Sequence, residues 1–112
     1  MSSEAHAWDP KPLLFALGLC AKAGRLVRGV PMVCEALGGR QKPVIVLSAE
    51  DNAKNSAKKL ADKCAFYGVP LVILPLSGEE LSRTVGKTGH TAALAVADEQ
   101  LAVLVKKNLP AQ

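Results

Sequence analysis

Lys22-Ala23-Gly24-Arg25-Leu26-Val27-Arg28-Gly29-Val30-Pro31-Met32-Val33-Cys34-Glu35-Ala36-Leu37 is the stretch on which the fold turns. Gly24 is a natural stop for the helical pattern before it, and Leu26 and Val27 between two arginines make a brief strand. Gly29 can adopt backbone angles closed to other residues. Pro31 has its φ pre-set for a first helical turn and lacks an N–H that would go unused there. A basic strand therefore feeds a helix that runs from Pro31 to Leu37 and closes at Gly38-Gly39. Free backbone N–H groups and the positive end of the helix dipole then lie beside Arg25 and Arg28, an arrangement that suits a phosphate.

Upstream, Leu13, Leu14, Leu17, Cys20 and Ala21 follow the i, i+3, i+4 rule and predict a helix from Pro12 to Ala23. Residues 1–9 are small, polar and unpatterned apart from Trp8. They read as a flexible arm whose tryptophan folds back on the body, with 10–112 as one domain. Downstream, Pro43-Val44-Ile45-Val46-Leu47-Ser48 is the β-branched run of a central strand. Ser48-Ala49-Glu50-Asp51 has the Ser-x-x-acid pattern of a helix start, and Ala53, Ala57, Leu60, Ala61 and Cys64 continue it as one stripe opposite Lys54, Lys58, Lys59 and Lys63. Val69 to Pro75 repeats the buried-strand pattern. Ser77-Gly78-Glu79-Glu80 is a second capping box, opening a helix through Val85, and Thr91 to Ala97 is a further apolar strand. Asp98 caps a last helix with Leu101, Leu104 and Val105 inward.

Helices and strands alternate with short connections, so the class is α/β: a three-layer α/β/α sandwich over a mixed sheet of about four strands. At 112 residues the chain can bury roughly two-thirds of its unfolded surface without staples. Aromatics are 4% of the residues, so the core is aliphatic. Cys20, Cys34 and Cys64 are odd in number, far apart and set in apolar patterns, which reads as reduced core thiols of a cytoplasmic protein rather than a disulfide or zinc framework. The apolar run from Leu13 to Ala21 is too short to span a bilayer and is preceded by Glu4 and Asp9.

Gly86-Lys87-Thr88 lacks the glycine five positions earlier that a phosphate-wrapping P-loop needs; Leu81 stands there. His6 and His90 have no acid or cysteine at ligand spacing and read as solvated. Glu50-Asp51, Glu79-Glu80 and Asp98-Glu99 each fall at a helix start, where capping explains them. No nucleophile with a base, metal set, cofactor motif or small-molecule site emerges, so the chain reads as non-enzymatic. Fourteen Lys and Arg against ten Asp and Glu leave +4, which permits a polyanionic partner. The lysine face between 54 and 63 is of a kind that is commonly plain solvated helix surface. With Arg40, Lys42, Lys22, Arg25 and Arg28 it suggests a basic surface of the sort that neutralises an RNA backbone.

Three phrases are more specific than this physics: Leu17 to Gly29, Asn55 to Cys64, and Tyr67-Gly68-Val69-Pro70. Together with Glu79-Glu80-Leu81, Val85-Gly86-Lys87 and the strand Ala92 to Ala97, they resemble the bacterial YlxQ-like branch of the ribosomal-protein superfamily that binds kink-turn RNA. The resemblance runs from about Leu13 to Lys107. It implies an α/β/α sandwich without catalysis or cofactor that grips a bent helix–internal loop–helix RNA, kink-turn-like or ribosomal. Its RNA surface would comprise Arg28, the helix start at Gly29, Pro31, Met32 and Glu35, and the loop around Val85, Gly86 and Lys87, with Arg25 nearby. Relatives typically carry Asn-Glu or Glu-Glu where this chain has Pro31-Met32, lysine at Glu35 and glycine at Ser82. A carboxylate facing phosphate is repulsive, and Met32 cannot hydrogen-bond a guanine edge. The alternative on the same scaffold is a protein-interaction module that presents Pro31, Met32 and Val33 to a protein partner.

Overall fold

The computed structural model describes residues 8–110. In chain order these form α1 (Lys11–Lys22), β1 (Leu26–Arg28), α2 (Val30–Leu37), β2 (Ile45–Ser48), α3 (Lys54–Tyr67), β3 (Leu71–Ile73), α4 (Gly78–Thr84), β4 (Ala93–Val96) and α5 (Glu99–Lys107). The strands make one mixed sheet in the order β1-β4-β2-β3. β1 and β2 both run antiparallel to β4, and β3 runs parallel to β2. Helices α1, α4 and α5 cover one face, and α2 and α3 the other.

Strand period two divides the core. Ile45, Leu47, Leu94 and Val96 face the three-helix layer, while Val46, Ala93 and Ala95 face α2 and α3. The alanines of β4 leave room for Val33, Leu37 and Leu60, all of them fully buried. Each such leucine contributes about 1.5–3 kcal/mol by leaving water. Cys20, Cys34 and Cys64 are buried free thiols, and burial raises Cys20 and Cys64 above the ordinary cysteine range.

Local signals set most element ends. Ser77 Oγ accepts from Glu80 N–H at 3.1 Å, and Glu80 returns a bond from the Ser77 amide at 2.9 Å. Asp98 caps α5 by accepting from Leu101 N–H at 2.9 Å. The Trp8 indole N–H donates to the Asn108 carbonyl at 2.8 Å, and its ring rests on the three-helix layer. Residues 1–7, most of the expected arm, lie outside the described part, as does His6.

Two expectations are corrected. Helix α3 starts at Lys54, with Ala53 at its N-cap and no side-chain cap, rather than at Ser48. Ser48 is the buried last residue of β2; its hydroxyl donates to the Ala49 carbonyl and accepts from Asn52, and Asp51 turns away to another helix. Ala53 and Ala61 are exposed, so the inward stripe of α3 reduces to the buried Leu60 and Cys64 with Ala57 half-buried. β3 is likewise not buried on both sides. It is an edge strand of three residues between Pro70 and Pro75, whose missing N–H groups cannot extend a ladder, and Ile73 is 62% exposed. Among the described residues no helix is long and apolar enough to cross a membrane.

Candidate nucleic-acid interface

Because β1 and β2 run in the same direction, α2 and α3 begin at one end of the sheet, where β4 also begins. Gly29 makes the turn into α2 with φ 95° and ψ 145°, a region essentially restricted to glycine. Its amide donates to the Ala93 carbonyl at 2.9 Å, and its carbonyl accepts the first helical bond from Val33. No side chain caps α2, and Pro31 has no N–H to leave unpaired, so the helix opens with its dipole uncompensated.

Arg28 pairs with Leu94 across the ladder and therefore points towards the α4 side. Its Nε donates to Thr91 Oγ1 at 2.7 Å, and one Nη lies 3.5 Å from Ser82 Oγ and 3.4 Å from the Thr88 carbonyl. The Ser82 and Thr91 hydroxyls are buried and 2.6 Å apart. The guanidinium thus ties the start of α2 to the loop after α4. That loop leaves the helix through a two-bond cap, Lys87 N–H to the Ser82 carbonyl at 2.8 Å and Gly86 N–H to the Arg83 carbonyl at 3.1 Å, with Gly86 at φ 77°.

A second clasp holds the far side of the same loop. Asp51 Oδ1 accepts from Gly78 N–H at 2.9 Å and lies 3.0 Å from His90 Nε2. The Gly78 hydrogen bond, followed by the bond to and charge of His90, holds the Asp51 carboxyl below its ordinary range. A β-carbon at Gly78 would require the exposed His90 ring to move off Asp51. His90 is exposed, as expected, but it has an acidic partner thirty-nine positions away, beyond any spacing rule.

The expected site residues divide. Arg28, Gly29 and the loop of Gly86 and Lys87 come together, with Lys87 exposed. Pro31, Met32 and Glu35 stand exposed on α2, Met32 at 54%. Val85 is half-buried against the core, so the exposed apolar group here is Met32. Arg25 precedes β1 and bonds Ala97 through its carbonyl; three residues of strand, about 10 Å, separate it from Arg28. Sequence reasoning did not find Ser82, Thr91 or Asp51. The available signals are Ser82, a departure from the family pattern, and a hydroxyl, Thr91, just ahead of the apolar strand β4. Among the described residues, no three His, Cys, Asp or Glu side chains are grouped to hold a metal ion.

The model of the ribosomal protein L7Ae/L30e/S12e/Gadd45 family matches residues 13–105. The chain belongs to this family. It is similar to the RNA-binding protein YlxQ of Bacillus subtilis (strain 168), 34% identical over 86 residues that cover 77% of this chain and 83% of the relative. It is also similar to the RNA-binding protein YlxQ of Enterococcus faecium, 34% identical over 71 residues, 63% of this chain and 67% of that one. Among solved structures, a protein of unknown function from Bacillus halodurans C superposes with a TM-score of 0.73 at 31% identity, covering 84% of this chain and 96% of its own. The Giardia lamblia 15.5kD RNA binding protein superposes with a TM-score of 0.71 at 21% identity, covering 96% and 92%, which supports the fold.

Proposed function

We propose that this chain is a non-enzymatic, cytoplasmic RNA-binding protein whose target is a structured RNA, a kink-turn-like or ribosomal element gripped at the start of α2. One observation carries the reading beyond family membership and the names of the relatives: Arg28 joins the uncapped helix start to the α4–β4 loop as one preformed surface. The α2 amides and Lys87 meet phosphates, and the exposed Met32 lies against unstacked bases. Arg28 acts chiefly by positioning, since its Nε is already committed to Thr91. Pro31 and Met32 present no side-chain hydrogen bond to a base edge, so shape supplies the selectivity.

The test is a titration of labelled kink-turn RNA and an unrelated duplex over a salt series. Both bind at low salt, the kink-turn more tightly, with affinity falling linearly in log salt. Absence of binding to any structured RNA at low salt sinks the reading. Glu35→Lys should tighten binding several-fold, by about one added phosphate contact; an unchanged affinity places the phosphate path elsewhere. The second reading, a protein-interaction patch, is favoured by the exposure of Pro31 and Met32; Val33 is fully buried and cannot contribute.

A further inference from the structure

The outward side of α3 is unlike an ordinary solvated helix face. Lys58, Lys59, Lys63, Phe66 and Tyr67 line an open groove of about 600 Å³. Phe66 is 80% exposed and adds nothing to a core that α3 reaches through Leu60 and Cys64. Its ring meets Tyr67 edge-on, with centroids 4.9 Å apart and planes at 89°, and Lys42 Nζ sits 5.5 Å from the centre of the Tyr67 ring. The aromatic pair is therefore braced while Phe66 stays open to solvent.

The charge around this pair is mostly positive. Asp62 is the carboxylate on this face, and Lys58 engages it at 3.0 Å. Among the described residues Lys54, Lys59 and Lys63 have no carboxylate partner. Lys59 and Lys63 are one turn apart, roughly 6 Å along the axis given a rise of about 1.5 Å per residue. Lys59, Lys63 and Phe66 share one strip at helical spacing. Spaced ammonium groups beside an open aromatic ring match a nucleic-acid single strand, phosphates on the cations and a base on the ring. An acidic protein segment would satisfy the lysines and leave the ring unexplained.

We infer that the α3 face is a second RNA-binding surface, which takes a single-stranded segment with one base stacked on Phe66 and its backbone along Lys59 and Lys63. It rests on the RNA reading above and extends it. Helices α2 and α3 pack side by side and start at the same end of the sheet, so an RNA held at the start of α2 can run on along α3.

The experiment measures affinity for one internal-loop hairpin with and without a short single-stranded oligouridylate extension. The variants are Phe66→Ala, Phe66→Trp and the double change Lys59→Ala with Lys63→Ala. All are surface changes, and melting curves confirm that they fold. The extension should tighten binding to the native chain by about tenfold, the scale of one stacked base. Phe66→Ala and the double lysine variant lose that gain and keep the affinity for the plain hairpin, whereas Phe66→Trp retains it. The double variant also lowers the log–log salt slope for the extended RNA by about 1.4, two contacts at about 0.7 each. A plain hairpin that binds while the extension adds nothing overturns the inference and leaves the α2 reading standing; failure of both RNAs overturns both. Equal loss on both RNAs merges α3 with the first site and overturns a separate strand path. Capture of polyglutamate with the same dependence on Phe66 and no RNA gain assigns the face to a protein, which also overturns it.

Discussion

The turn into α2 and the open face of α3 are both basic, yet they hold their cations in opposite ways. Arg28 is locked by a buried pair of hydroxyls and a loop carbonyl, next to a glycine whose φ of 95° no other residue adopts cheaply. Among the α3 lysines, Lys58 makes one exposed ion pair, and Lys54, Lys59 and Lys63 none among the described residues. The first region commits its charge to shape, so on the proposed reading it would contribute preorganisation to binding. The second keeps its charge in solvent, where it would act through counterion release and fade with salt. Counting cations along a sequence treats the two alike.

The contrast breaks first at Gly29. Gly29→Ala should cost about 1–3 kcal/mol of stability by chemical denaturation and disorder the helix start, because the obstacle is the backbone angle and not space. A neutral result would mean that the turn relaxes freely. Arg28→Ala comes next, at about 1–2 kcal/mol for a charged donor removed from a half-buried network, with a parallel loss of RNA affinity. Arg28→Lys should not rescue it, since one ammonium cannot serve Thr91, Ser82 and the Thr88 carbonyl together. Lys59→Ala should change stability by less than about 0.5 kcal/mol, and a loss as large as that of Arg28→Ala would erase the distinction.

The smallest effect is in the acid limb. Asp51 has its carboxyl lowered in the fold, so its contribution is present above the unfolded aspartate range near pH ~4 and is lost as pH falls through the lower folded value. Asp51→Asn should therefore flatten the acid side of the stability curve and loosen exchange protection around Gly78 and His90. An unchanged acid limb would remove the second clasp from the account of the loop.

What sequence reasoning reached was local. The box at Ser77 and Glu80, the cap at Asp98, the stop at Gly24 and the turn at Gly29 are decided within a few residues, so their chemistry is written in adjacent letters. The run from Val44 to Leu47 marks β2 because a strand covered on both faces must be apolar throughout. The same logic failed at β3, where a similar run lies at the sheet edge, since strand order is not a property of any one segment.

The candidate site was half legible for the same reason. Arg28 and Gly29 stood out by their kind and place in the chain, and Lys87 entered through the family resemblance. The work Arg28 does was not, because its partners are Thr91, sixty-three positions away, and Ser82, fifty-four positions away. Asp51, read as starting its own helix, reaches Gly78 twenty-seven positions on. The sequence by itself determined the order of elements, the caps of α4 and α5, the family and the glycine turn, because those depend on backbone angles and neighbours a few residues apart. Only the tertiary structure decided which cations are framework and which are free, since that depends on which hydroxyls and carboxylates the sheet brings within 3 Å or so of one another.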